Sequence, residues 1–161
     1  MDAVLKKIPL ETINRIHPKV AAIEQKLNIS PPHLPGAALI PEEVVDLVNH
    51  LHPIAVVSEK GEIYCVGQIG LYRWMRGILD GKHQVQVIEI KRKITDELAE
   101  HLMLIERFLV PALAPVNSLQ ARLMYEAIAQ PSTRWPHAYK SIAHFSMLAG
   151  VKPHKDDGAS Q

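Results

Sequence analysis

At 161 residues the chain has the length of one domain with a sizeable core, and a 47% hydrophobic fraction excludes wholesale disorder. Aromatics make up only 5%, so that core falls mainly to Leu, Ile, Val, Ala and Met. A formal charge of +1 excludes coating of nucleic acid by bulk electrostatics, although local clusters can still hold phosphate.

VLKKIPLETI, 4–13, reads as an edge strand and turn, because Pro9 cannot complete an interior ladder. Residues 28–41 hold four prolines and one glycine and read as a loop. Pro41 suits a first helical position, and Glu42 and Glu43 place negative charge at the start of a helix. Val44, Leu47, Val48 and Leu51 recur on one face, predicting a helix near 42–51. PIAVVSEKGEIYCVG reads as two strands, 54–57 and 62–66, around a Glu59-Lys60-Gly61 turn. LYRWMRGIL, 71–79, predicts a helix that Gly77 weakens, and QVQVIEI, 84–90, has the β-branched content of a strand. Its return after a helix suggests an α/β unit with a parallel strand pair.

Thr95 suits a helix cap, with Asp96 and Glu97 in the first turn of a helix over 95–110. Leu98, Leu102, Ile105 and Leu109 repeat every three or four residues and are expected to face the core. Ser118 suits the cap of a helix carrying Leu119, Leu123 and Ala127, and Trp135 to Leu148 reads as a last helix. The expected fold is a compact mixed-sheet α/β domain over 1–110. A helical extension or subdomain follows over 111–150, then a flexible tail over 151–161. Val56, Val66, Val87, Leu102 and Ile105 are expected to share the core.

Two basic surfaces stand out. In GQIGLYRWMR, Gly67, Gln68 and Gly70 can expose backbone N–H groups to an anion, with Arg73 and Arg76 three residues apart on one helix face. The competing reading makes the glycines a turn and the arginines a solvated exterior. The stretch lacks Walker spacing, and Trp74 reads as a core or interface residue. Lys91, Arg92 and Lys93 form the densest basic run, with Arg107 on the next helix. These suit DNA phosphates if the fold brings them beside Arg73 and Arg76, and otherwise read as an ordinary charged connection.

Glu106 is the weak candidate for a cofactor-binding or general-base carboxylate, against a plain helix-surface charge. The nine histidines form no metal motif, and Cys65 reads as a buried strand residue. A lone cysteine excludes an internal disulfide. No metal and no cofactor is expected from any of these motifs. MDAVLKKIPLET lacks the apolar region of a secretory signal, and no apolar run approaches the roughly 20 residues of a membrane span. The expectation is a soluble, cytoplasmic protein without a membrane partner.

The succession IAVVSEKGEIYCVGQIGLYRW, QVQVIEI, ITDELAEHLMLIERF, preceded by IPLETI, resembles the N-terminal domain of bacterial partition ParB proteins and the wider ParB/sulfiredoxin-like superfamily. The resemblance covers roughly residues 8–110. It implies the superfamily's mixed α/β fold and a nucleic-acid-associated role. The family signature of glycine, glutamate and two arginines corresponds to Gly67, Gln68, Ile69 and Gly70, so only the glycine carries over. The later glutamate–asparagine pair corresponds to Glu106 and Arg107, so only the glutamate carries over. These replacements remove the usual groups that hold phosphates and a cation, which implies loss of the family's CTP cycle.

Three functional readings follow. The leading one is a ParB-like, nucleic-acid-associated protein engaging DNA phosphates through local basic residues. An enzyme alternative is a divergent nucleotide-dependent phosphohydrolase or nuclease, which needs a pocket around Glu106. The third is a non-catalytic interaction domain, self-associating or binding a protein through helices in 118–148.

Overall fold

The computed structural model describes residues 2–28 and 42–113, together with 122, 123 and 126. Strand β1 (Ala3–Pro9) leads through a 3-10 turn, Leu10–Thr12, into β2 (Ile13–Ile16) and α1 (Pro18–Lys26). Helix α2 (Glu42–Leu51), β3 (Ile54–Glu59), β4 (Glu62–Gly67), α3 (Ile69–Ile78) and β5 (Gln84–Ile90) follow. After α4 (Asp96–Leu104) the helix continues as a π turn, Ile105–Leu109, and then as α5 (Val110–Leu113). Helix therefore runs through residue 110, the expected end of the α/β domain. The helices expected at 118–148, the 28–41 loop beyond Asn28, and the 151–161 tail lie outside the described residues. Among them only Arg122, Leu123 and Glu126 are seen, each helical.

Five strands form one mixed sheet in the order β1-β5-β3-β4-β2. β3 and β5 run parallel, as do β2 and β4, whereas β1–β5 and β3–β4 are antiparallel. The compact mixed α/β architecture expected from the sequence is the one observed. Strands 54–57 and 62–66 lengthen by one or two residues, and 84–90 matches end to end.

The chain between β1 and β2 forces the sheet to curl. These strands are opposite edges, four inter-strand spacings or about 19 Å apart on a flat sheet. From Pro9 to Ile13 the chain can reach only about 14 Å. The turn is held to the α3–β5 connection, with Leu10 N–H donating to His83 O at 2.9 Å and Glu11 N–H to Gly81 O at 2.8 Å. A Cβ on Gly81 would lie 2.9 Å from Glu11 Oε2 and 3.1 Å from Glu11 Cβ, so glycine lets the two segments approach without displacing the Glu11 side chain.

Val56, Val66 and Val87 are fully buried and Leu102 packs against them. Two helix faces differ from expectation. On α4 the inward stripe is Ala99 and Met103 with Leu98 and Leu102 beside it, while Ile105 and Leu109 are 46% and 54% exposed. The stripe returns at Glu106, three residues after Met103, and Ile105 is turned about 100° away from it. On α2, Val45 and Asn49 point inward, leaving Leu47 and Leu51 exposed. Asn49 explains that rotation. Pairing of β3 with β5 begins at Ile54 and Val87, so the main chain of Gln86, which faces Lys7 of β1 on one side, has no strand neighbour on the β3 side. Asn49 supplies one, donating from Nδ2 to Gln86 O (3.1 Å) and accepting from Gln86 N–H at Oδ1 (2.6 Å).

Two segments escaped the sequence reading, β2 and α1. Pro18 opens α1, and the His17 ring caps it, Nδ1 accepting from Lys19 N–H at 3.3 Å. Among the described residues no helix is long and apolar enough to cross a membrane.

Candidate functional site: two charged clusters along the third strand

The residues singled out in the sequence separate into two clusters. The first lies where β4 leaves the sheet beside the start of β3, since Gly67 pairs with Ala55. Gly67 leaves room there, a Cβ being 3.1 Å from Ala55 Cβ and 3.8 Å from Glu106 Oε2. Gln68 turns the chain at a left-handed φ of 54° and offers α3 no side-chain cap. Glu106 takes that role from across the fold, its Oε1 accepting from Ile69 N–H at 2.9 Å, with the Gln68 and Gly70 amides also turned toward it. The anion position at the start of α3 is thus filled by the chain's own carboxylate. Burial raises the pKa of Glu106, against the lowering effect of those amides and Arg107.

Arg73 and Arg107 converge beside it on Glu24, a buried residue that the sequence reading missed. Arg73 grips the Glu24 carboxylate with two bonds, Nη1 to Oε1 at 2.7 Å and Nη2 to Oε2 at 2.6 Å. Arg107 Nη2 donates to the same Oε1 at 3.0 Å, and its buried Nε has no hydrogen-bond partner among the described residues. Two guanidiniums thus face two carboxylates, and the cluster is formally neutral. It ties α1, α3 and the π turn together. A second link, Lys19 to Asp96 at 2.9 Å, joins the starts of α1 and α4, so these helices lie side by side in parallel. Cys65 lies buried nearby, donating to Gly67 O at 3.3 Å. Burial, then the Glu106 charge, pushes its thiol far up, which leaves no nucleophilic thiolate. Arg76 is exposed and takes no part in the cluster.

The second cluster lies three to four residues further along β3, about 10–13 Å away. Here β3 and β5 end in parallel, and their carboxyl ends open into a cleft of about 340 Å³. Ser58 and Glu59 line it from β3, and Glu89, Lys91, Arg92 and Lys93 from β5 and its exit. Glu89 belongs to the inward series Val85, Val87, Glu89 of β5 and is buried with its charge fully answered. Lys6 and Lys91 hold its Oε2, the latter at 2.5 Å, and the Ser58 hydroxyl donates to Oε1 at 2.7 Å. Lys6, then Lys91 and Ser58, bring the pKa of Glu89 down to about 2. Glu59 is likewise lowered, first by the Ile94 N–H and then by His17 beside it (3.4 Å). Arg92 makes no hydrogen bond or ion pair among the described residues. Lys93 feels only the longer-range attraction of Glu59.

The fold therefore does not bring the 91–93 run beside Arg73 and Arg76. It assembles Gly67, Gln68, Gly70, Arg73, Glu106 and Arg107 at one end of β3 and Lys91, Arg92 and Lys93 at the other. Among the described residues no group of three or more His, Cys, Asp and Glu side chains is placed to hold a metal ion.

No protein-family model matches the chain, and no curated protein matches its sequence. Among solved structures it is distantly similar to the C-terminally truncated chromosome-partitioning protein ParB from Caulobacter crescentus. The structure complexed with CTP-gamma-S is 17% identical with a TM-score of 0.47, covering 91% of this chain and 71% of that one. The structure complexed to the centromeric parS site is also 17% identical, with a TM-score of 0.32, covering 91% of this chain and 65% of that one.

Proposed function

We propose that the chain is a non-catalytic, nucleic-acid-associated protein that engages backbone phosphates through Lys91, Arg92 and Lys93. The observation that carries this reading is the uncompensated charge at the carboxyl ends of β3 and β5. Lys91 bridges to Glu89, but Arg92 and Lys93 are exposed at the mouth of the cleft without a close carboxylate partner among the described residues. Open α/β sheets characteristically receive ligands beyond the carboxyl ends of their strands. Arg73 and Arg107 are poorer phosphate ligands, because both are already paired with the Glu24 carboxylate. Glu106 is poorly placed as a general base, because its carboxylate caps α3. This favours binding over hydrolysis of a nucleotide.

Fluorescence anisotropy with short scrambled duplexes over a salt series tests the reading. Weak, saturable, largely sequence-independent binding is expected at low salt, with affinity falling as salt rises. Arg92→Gln/Lys93→Gln is expected to weaken binding and make the logarithmic salt slope shallower by about 2. Arg76→Gln is expected to change neither. Absence of saturable binding at low salt, or an unchanged salt slope in the double variant, rules the site out.

A further inference from the structure

We infer that β1 is a self-pairing edge, through which two copies of this chain join their sheets antiparallel about Val4. The strand is the outermost of the sheet, and residues 3–7 are exposed on both of its faces, Leu5 at 60% and Val4 at 43%. An open edge flanked by apolar side chains on both faces is a template for another strand.

The hydrogen-bond pattern fixes which groups are available. Lys91 N–H donates to Asp2 O and Leu10 N–H to His83 O, both in the register that pairs Ala3 with Ile90. Facing pairs in an antiparallel ladder alternate between bonded and non-bonded, so the even-numbered residues of β1 bond to β5. Ala3, Leu5 and Lys7 turn their N–H and C=O groups to the open edge. Pro9 falls in the same outward series and has no N–H, which closes the far end of the edge.

Charge then selects the register. A twofold axis normal to the sheet must bring together residues on the same face. Centred on Val4, it sets Asp2 against Lys6 of the second copy twice, and Ala3 against Leu5 twice, around a central pair of valines. Centred on Leu5, it sets Val4 against Lys6 and Ala3 against Lys7, with no charge pair. Centred on Lys6, it opposes two ammonium groups and is repelled. Lysines on edge strands ordinarily discourage pairing; of these three registers, only the one centred on Val4 gives a lysine an opposite charge. A net charge of +1 adds little general repulsion between copies. One short strand per copy buries little area, so the dimer is expected to be weak, with Kd on the order of 100 µM.

Sedimentation velocity on the full chain, from micromolar to about 1 mM, tests this inference. Leu5→Pro removes an outward N–H while sparing the bonds to β5, and is expected to shift the population to monomer with an unchanged circular dichroism spectrum. Asp2→Lys replaces both attractions by repulsions, and is expected to weaken the dimer about tenfold at low salt. Val4→Cys is expected to form an intermolecular disulfide under mild oxidation. The two valines form a non-bonded pair about 4.5 Å apart at Cα, within disulfide range. Lys7→Cys is expected not to cross-link, since its two copies are about 20 Å apart. If Leu5→Pro fails to fold, Asp2→Lys and the two cysteine variants decide. A parent chain monomeric at about 1 mM overturns the inference, whatever other strand the edge then takes. So does a dimer indifferent to Asp2→Lys, or a cross-link at position 7 in place of 4.

Discussion

Glu24 shows how one residue can decide what its neighbours are free to do. Its carboxylate accepts three bonds from two guanidiniums while itself buried. Glu24→Gln leaves both guanidiniums around a single neutral acceptor, and a cost of about 2–3 kcal/mol is expected. Urea denaturation checks this, with Arg76→Gln expected within about 0.5 kcal/mol of the parent. Glu24 was legible in principle. It lies four residues after Val20, on the buried face of α1, and an acid in an apolar stripe needs a partner. Glu89 carried the equivalent signal for a strand, alternating with Val85 and Val87. What the sequence could not supply is the partner, because Arg73 and Arg107 are distant in the chain.

At the scale of elements, β3, β4, β5 and α2 were readable because each carries its own period and its own turn or cap. β2 and α1 were not. β2 has only four residues, too few to establish an alternation, and the His17 cap uses a ring nitrogen in place of the usual hydroxyl or carboxylate. The inward faces of α2 and α4 were each misjudged by about one residue for a common reason. Apolar spacing does not register that Asn49 and Glu106 point inward to satisfy backbone groups. Helix α3 was weakened in the sequence by Gly77, and the structure gives that glycine no reason to be there. Its φ is not positive, and a Cβ would meet nothing within 4 Å. Gly77→Ala is therefore expected to stabilise the protein by about 0.5–1 kcal/mol, read as a higher thermal midpoint.

Over the whole molecule, a buried carboxylate and a half-buried one impose opposite responses to pH. Glu89 is lowered from 4.5 to about 2, so the folded state binds its proton less readily than the unfolded state. Its contribution is complete above 4.5 and is lost as pH falls toward 2. Glu106 is raised above 4.5, so its contribution is complete below that value and declines as pH rises through its folded pKa. Urea midpoints measured against pH should separate them. Relative to the parent, Glu89→Gln is expected to flatten the rise between pH 2 and 4.5. Glu106→Gln, which keeps an oxygen for Ile69 N–H, is expected to remove a decline above 4.5.

The strand order has a consequence in time. β1 is the first strand of the sheet to be made, yet its pairing with β5 sets Ala3 opposite Ile90. At about 5–20 residues per second, roughly 4–17 s pass between the synthesis of those two residues. Throughout that interval Val4, Leu5 and Ile8 have no strand to lie against, and the curled sheet cannot close. The earliest-made strand of the sheet thus waits for the last-made one, so nascent chains that end before Ile90 should hold this segment open to proteases and to the hydrophobic grooves of chaperones.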